Sequence, residues 1–350
     1  MAYHHKITAF IFAVLALTSL VYVAMQSQSP RRQSAMTAET NDRAKEPDNV
    51  PHAELTIPYL RERKYASSLG ERTQYETYAR YTSYLTSYTS DDLKINGLLT
   101  IPEGEMPAGG WPAIVFVHGY IPPTQYRTTE KYIAYVDSLA DAGFVVFKVD
   151  LRGHGESEGE PTGAYYASEY VVDVLNARAA LSGSGIVNPA QIGTWGHSMA
   201  GNVTLRALAV DNTIPAVVIW AGAVFTYEDW LKYGLQDNSY RPPTQVTARV
   251  SRRNEIFKTH GEFNAQNDFW RRVVPVNYLE RVGGAIQLHH PTDDTVVDVR
   301  YSRDLSTVLT EKNIEHEFYE YPTGGHNVES PSFELAMQRT IDFYKERLMK

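Results

Sequence analysis

Trp195-Gly196-His197-Ser198-Met199-Ala200-Gly201 stands between a strand-like run, Gln191–Trp195, and a helix-like segment, Met199–Val210. A strand that turns straight into a helix around one serine forces that serine into strained backbone geometry, tolerated only beside small neighbours. Gly196 supplies the small residue two places before Ser198. Two places after it stands Ala200, small but not glycine, with Gly201 one place further on. The stretch is read as a nucleophile elbow and Ser198 as the candidate nucleophile. The plainer alternative is a strand–turn–helix with an incidental serine.

A serine hydroxyl is a poor nucleophile at neutral pH and needs a base that is itself oriented by an acid. In the α/β-hydrolase order Ser…Asp…His, both partners follow the nucleophile at the ends of later strands. The run Ala285–His289 leads into His290-Pro291-Thr292-Asp293-Asp294-Thr295-Val296-Val297, and His316–Tyr321 leads into Pro322-Thr323-Gly324-Gly325-His326-Asn327. The glycines before His326 let a loop carry its imidazole back over Ser198, while Asp293 and Asp294 compete for the acid role. His289 and His290 are adjacent on a strand and point to opposite faces, so no shared metal is expected with the aspartates. A tetrahedral oxyanion needs preorganised donors. The backbone N–H groups of Tyr120, after Val117-His118-Gly119, and of Met199, after the nucleophile, are the candidates. Asp150-Leu151-Arg152-Gly153-His154-Gly155-Glu156-Ser157 is read as a brace for neighbouring loops, and neither His154 nor His197 is placed among the catalytic groups.

Outward from the elbow, strands and helices alternate. Ala113–Val117, Phe144–Val149 and Pro215–Trp220 are short apolar runs suited to strands buried on both faces. Helical spacing predicts helices over Thr128–Ala142, Ser168–Leu181, Arg300–Thr310 and Phe333–Leu348. Before them, Thr77–Thr89 and Leu93–Ile101 flank a Ser90-Asp91-Asp92 turn and predict an antiparallel edge. The expected fold class is α/β: the α/β-hydrolase fold, a mostly parallel sheet with helices on both faces. Some 60 residues, about 221–284, interrupt the alternation and are dense in aromatics (Phe225, Tyr227, Trp230, Tyr233, Tyr240, Phe257, Phe263, Phe269, Trp270) and in arginine. A segment this long reads as an inserted cap over the carboxyl ends of the strands.

Composition bounds the rest. The 350 residues carry a formal charge of −8 and no basic stripe, which argues against nucleic-acid binding. There is no cysteine, which excludes disulfides, thiolate metal sites and a cysteine nucleophile. Ile7–Met25 is uncharged, mostly apolar and long enough to span a bilayer core. Residues 1–25 are therefore expected to be a transmembrane anchor, with a cleaved signal segment as the alternative, and 26–52 a flexible polar tether. Residues 53–350 form the expected catalytic domain, placed outside the cytoplasm or, after cleavage, secreted.

With these residues in place, the chain from about Arg61 to Lys350 resembles the catalytic domain of the prolyl oligopeptidase family, in particular its compact bacterial members. The likeness rests on Leu98-Leu99-Thr100-Ile101-Pro102, His118-Gly119-Tyr120-Ile121-Pro122-Pro123, the Asp150–Ser157 stretch, Gly196–Gly201 and the Asp and His segments. Family segments reading Gly-Thr-x-Asp-x-x-Val, aligned on Thr292 and Val297, select Asp294 over Asp293. The resemblance implies cofactor-free hydrolysis of peptide or ester bonds through an acyl-enzyme. Two features depart from it. The large members gate substrate with an amino-terminal propeller, for which this chain has no room, and many relatives place a tyrosine hydroxyl where this chain has His118. Substrate choice is therefore expected to fall to residues 221–284. A carboxylesterase acting on small acyl esters and a non-catalytic binding module are the competing readings.

Overall fold

The computed structural model describes residues 50–235 and 248–349. The expected anchor and nearly all of the tether lie outside these residues, as does Tyr240. Among the described residues no helix is long and apolar enough to cross a membrane.

The described residues build a nine-stranded sheet. Its antiparallel edge is β1 (Thr73–Thr77), β2 (Tyr81–Ser90) and β3 (Leu93–Pro102). Asp91 and Asp92, both with positive φ, close a two-residue hairpin between β2 and β3, the turn that Ser90-Asp91-Asp92 predicts. The single strand expected over Thr77–Thr89 is in fact two. The chain reverses at Tyr78, whose N–H donates to Tyr81 O, so Thr77 pairs back onto Thr82.

The parallel part comprises β4 (Trp111–Val117), β5 (Val145–Val149), β6 (Val187–His197), β7 (Ala216–Trp220), β8 (Ala285–Pro291) and β9 (His316–Tyr321). The order across the sheet is β1-β2-β3-β5-β4-β6-β7-β8-β9. The chain leaves β4 to one side to form β5, then returns past it to form β6. The gap between the carboxyl ends of β4 and β6 is thus a topological switch point, where open parallel sheets bind ligands. Tyr120 follows β4 and Ser198 follows β6, so the switch point brings the oxyanion candidate and the nucleophile together.

Both faces of the sheet are covered, which is why β4 and β7 are apolar throughout their buried lengths and β5 is apolar apart from Lys148. On one face lie α2 (Ile133–Asp141) and α9 (Ser332–Leu348), around Phe116, Trp195, Trp220 and Tyr344. On the other lie α1 (Ile57–Glu62), α3 (Glu169–Ser182), α4 (Met199–Val210) and α8 (Arg300–Glu311). Helix α2 begins five residues later than its apolar spacing predicts. Thr128 and Tyr126 instead turn their hydroxyls onto the Asp150 carboxylate, and Tyr132 takes a left-handed φ of 62° immediately before the helix.

Between β7 and β8 lie α5 (Glu228–Tyr233), α6 (Ala248–His260), α7 (Asp268–Val273) and a 3-10 turn, Pro275–Tyr278. Several of the described aromatics there pack on one another: Tyr227 and Trp270 have ring centroids 5.8 Å apart, and Phe257 and Trp270 6.1 Å. Tyr166 of the preceding chain joins them against Trp230 at 5.5 Å. Arg61 of α1 fastens this layer to the domain, donating to Ala209 O and Tyr278 O.

Candidate active site

Ser198 sits between β6 and α4 with φ 55° and ψ −119°, a conformation that side chains rarely adopt. Its N–H donates to Trp220 O, and Gly201 N–H donates to Ser198 O. The tightness of the turn explains its glycines. A Cβ on Gly196 would lie 2.7 Å from Ala200 O, and one on Gly201 would lie 2.8 Å from Gly222 Cα. Ala200 is fully buried in the first turn of α4, and its carbonyl accepts from the Thr204 hydroxyl.

Ser198, His326 and Asp294 form one hydrogen-bonded chain. Ser198 Oγ lies 2.9 Å from His326 Nε2, and His326 Nδ1 lies 2.8 Å from Asp294 Oδ2. A carboxylate only accepts, so Nδ1 carries the ring proton and Nε2 is bare to take the serine proton. The His326 ring is 16% exposed while the Asp294 side chain has no exposure, so substrate reaches the base and not the acid. Burial pushes the Asp294 carboxyl up. Hydrogen bonds from His290 and His326, the His326 charge and the Val297 N–H together outweigh this and hold it well below the usual carboxylate range.

The two aspartates that compete in the sequence separate by geometry. Asp293 accepts from Gly324 N–H at 3.3 Å and Gly325 N–H at 2.9 Å, capping the loop that carries His326. Asp294 Oδ1 accepts from the N–H groups of Val296 and Val297. A partner that the sequence reading missed is His290, whose Nε2 lies 2.9 Å from Val297 O and 3.3 Å from Asp294 Oδ2. The Ser302 hydroxyl lies at its Nδ1. Its place four residues before Asp294 carried no signal, because the segment between them is a loop. His289 turns to the opposite face, onto Gln287, Tyr321 and Thr340.

Tyr120 lines the same cavity as Ser198 and His326, and Met199 opens α4 directly after the nucleophile. The His118 ring is buried against two carbonyls, Gly119 O at 2.7 Å and Asp150 O at 3.0 Å. Burial, reinforced by His154, lowers its pKa to about 3, so the ring is neutral and its single N–H serves one carbonyl at a time. The Asp150–Ser157 stretch lies as a brace. Arg152 pairs with buried Asp173 at 2.6 Å, and Ser157 Oγ and Glu158 hold the backbone of β3. His154 packs edge-on against His118, with centroids 4.9 Å apart. Lys148, buried in β5 and donating to Tyr126 Oη, was not anticipated as a core residue.

The cavity that holds Ser198 measures about 710 Å³. Its walls are Tyr120, Ile121, Tyr132, Tyr135, Val296 and Phe333, with Lys131 and Glu329 at its edge. None of the described residues of 221–284 lines it, and residues 236–247 of the segment expected to select substrate lie outside the described residues. The walls come from the loop into α2 and its first turn, from the loop after β8, from the loop after His326 and from α9. Among the described aromatics of 221–284, Tyr227, Phe257, Phe263 and Trp270 pack on one another.

A family model described as serine aminopeptidase, S33, matches residues 112–255. The human protein ABHD12B is 33% identical over 119 residues, covering 33% of this chain and 30% of that protein. Among solved structures, a Mycobacterium tuberculosis puromycin-hydrolyzing peptidase superposes with a TM-score of 0.60 at 19% identity, covering 78% of this chain and 40% of that one. The chain has the α/β-hydrolase fold. An acetyl xylan esterase from Paenibacillus superposes equally well, with a TM-score of 0.58 at 16% identity over 82% of this chain and 91% of that one. At such identities the likeness of this chain to either enzyme is one of fold. It spans less than half the length of the curated relatives it matches first, 30% and 41%.

Proposed function

We propose that this protein is a serine hydrolase that cleaves short peptides through an acyl-enzyme on Ser198. The observation that carries the reading is the unbroken chain from Asp294 through His326 to Ser198, ending in an open cavity. In this reading His326 Nε2 takes the hydroxyl proton as Ser198 Oγ bonds to the substrate carbonyl carbon. The N–H groups of Tyr120 and Met199 hold the resulting oxyanion. The C–N or C–O bond then breaks as His326 returns the proton to the leaving group, and water repeats the sequence to free the acid. Asp294 stays ionised and orients the imidazole. The second reading, cleavage of small acyl esters, is favoured by the largely apolar walls of the cavity, which suit an acyl or aryl group better than a charged peptide end.

Residues 7–25 are proposed to anchor the domain to a membrane, with the catalytic part outside the cytoplasm. One experiment covers both proposals: labelling of the full chain in membranes with a fluorophosphonate probe, beside a panel of aminoacyl-arylamides and p-nitrophenyl esters. Ser198→Ala is expected to abolish labelling and turnover, and the label is expected to stay with the membranes through carbonate extraction. A Ser198→Ala protein that still labels would refute the nucleophile. Label released by carbonate would refute the anchor.

A further inference from the structure

A second hydrogen-bonded chain runs beside the first. Gly119 N–H donates to Tyr132 Oη at 3.1 Å, Tyr132 Oη lies 2.7 Å from His197 Nδ1, and His197 Nε2 lies 2.8 Å from the carbonyl oxygen of His326. Chemistry fixes the direction of every link. The His326 carbonyl only accepts, so His197 Nε2 carries the proton. Burial first, and the nearby His326 second, lower the His197 pKa to about 3, so its ring is neutral and Nδ1 is bare. The Tyr132 hydroxyl therefore donates to Nδ1, and its oxygen is left to accept from Gly119.

The ends of this chain adjoin the two groups whose separation matters for acyl transfer. Gly119 immediately precedes Tyr120, and its carbonyl, in the same peptide unit as the Tyr120 N–H, lies against His118 Nδ1. Gly119 N–H, committed to Tyr132, adjoins the Tyr120 N–H that the serine-hydrolase reading assigns to the oxyanion. At the other end the bond is to the backbone of His326 itself. The middle member, His197, is the residue before Ser198, and its ring lies 4.6 Å from that of His326. Packing leaves no slack: a Cβ on Gly119 would lie 2.7 Å from Tyr132 Oη and 3.0 Å from His197 Nδ1.

We propose that Tyr132 and His197 are positioning residues, a tie that sets the oxyanion donor of Tyr120 and the imidazole of His326 at one spacing about Ser198. The inference rests on the serine-hydrolase reading above. The tie touches neither leaving group nor acyl chain through its hydrogen bonds, so it acts on the transition state rather than on substrate binding.

The test is a double-mutant cycle with Tyr132→Phe, which keeps the ring, and His197→Gln. It is read by fluorophosphonate labelling rate, kcat and KM on a p-nitrophenyl ester, and inhibition by an alkyl trifluoromethyl ketone, with circular dichroism to establish folding. Each single variant is expected to lower kcat and labelling rate about 10- to 100-fold, the scale of a small misplacement at a reacting centre. KM should stay within about twofold, inhibition should weaken in step with kcat/KM, and the double variant should be no worse than the worse single one. Tyr132→Phe within twofold of wild type, a loss confined to KM, or strictly additive losses would overturn the proposal. If Tyr132→Phe does not fold, His197→Gln alone decides by the same kcat-against-KM split. Failure of the underlying reading looks different, because wild-type protein itself would then label no faster than Ser198→Ala.

Discussion

A carboxyl withdrawn from solvent as completely as Asp294 would ordinarily resist ionisation, yet its surroundings reverse that tendency with four donors. They come from His326, His290, Val296 and Val297. Asp293 has none of these contacts and caps Gly324 and Gly325 instead. Asp294→Asn is therefore expected to lower kcat about 10⁴-fold, because an amide no longer enforces the Nδ1–H tautomer. Asp293→Asn should cost less than about tenfold, through loosening of the His326 loop. Ester hydrolysis by the two variants side by side checks the assignment, and the reverse order moves the acid by one residue. The same depressed pKa has a stability consequence. The unfolded chain takes up a proton at Asp294 near the ordinary value of about 3.9, while the folded chain does so only at lower pH. The stabilisation is thus fully present above about pH 4 and drains away as pH falls through the folded value. The gap between the thermal midpoints of wild type and Asp294→Asn should stay constant from pH 7 to about pH 4 and narrow progressively as pH is lowered further. Curves that stay parallel over that lower range would contradict the shift.

At the scale of elements, what was legible in the sequence followed from periodicity and from turn chemistry. Helix α4 and strand β9 begin and end where their residue patterns predict, and the Asp91-Asp92 hairpin closes where two turn-forming residues stand between alternating strands. What escaped has physical causes. Strand β1 is exposed along its whole length, so its sequence Thr-Gln-Tyr-Glu-Thr shows no buried face to read. Helix α1 is only six residues long, too short for a helical period to emerge, and is held by Arg61 and by Arg206 bonding to Leu55 O. The Tyr132–His197 tie joins residues 65 apart, a separation to which no local pattern points. The elbow, by contrast, was legible because its constraint is local: the residue two before Ser198 must clear the first turn of α4. Gly196→Ala would put a methyl group 2.7 Å from Ala200 O and 2.9 Å from Thr204 Cγ2. It should cost about 1–3 kcal/mol of stability by overpacking and lower kcat about 100-fold by shifting Ser198. Ala200→Gly, which only adds backbone freedom in a helix, should cost less than about 1 kcal/mol and leave kcat nearly unchanged. Urea unfolding and ester kinetics on the two variants check the pair.

Across the whole molecule, the switch point between β4 and β6 dictates where the chemistry sits, but it does not dictate which segment chooses the substrate. The aromatic stretch 221–284 has the composition of a binding surface, and composition could not reveal that Tyr227, Trp230, Phe257 and Trp270 would be used on one another and on Tyr166. The walls that meet Ser198 are built by parts of the chain that carry no lid-like signature: the loop entering α2 and the first turn of α9, where Phe333 packs edge-on against Tyr135 at 5.0 Å. Tyr135 in turn donates to Asn327 O, so this wall is braced directly against the loop that holds His326. Removing the Phe333 ring enlarges the cavity without touching Ser198, His326 or Asp294. Phe333→Ala is therefore expected to raise KM about tenfold for esters or arylamides with bulky groups, the scale of one lost apolar contact of about 1.4 kcal/mol. KM and kcat for p-nitrophenyl acetate, too small to reach the wall, should change less than about twofold. Arg253→Ala, on the surface of α6 beside Phe257, serves as the counterpart in the 221–284 segment and should leave both substrates unaffected. Steady-state kinetics on the two variants decide the matter: a size-dependent KM shift in Arg253→Ala and none in Phe333→Ala would return substrate choice to the segment between β7 and β8.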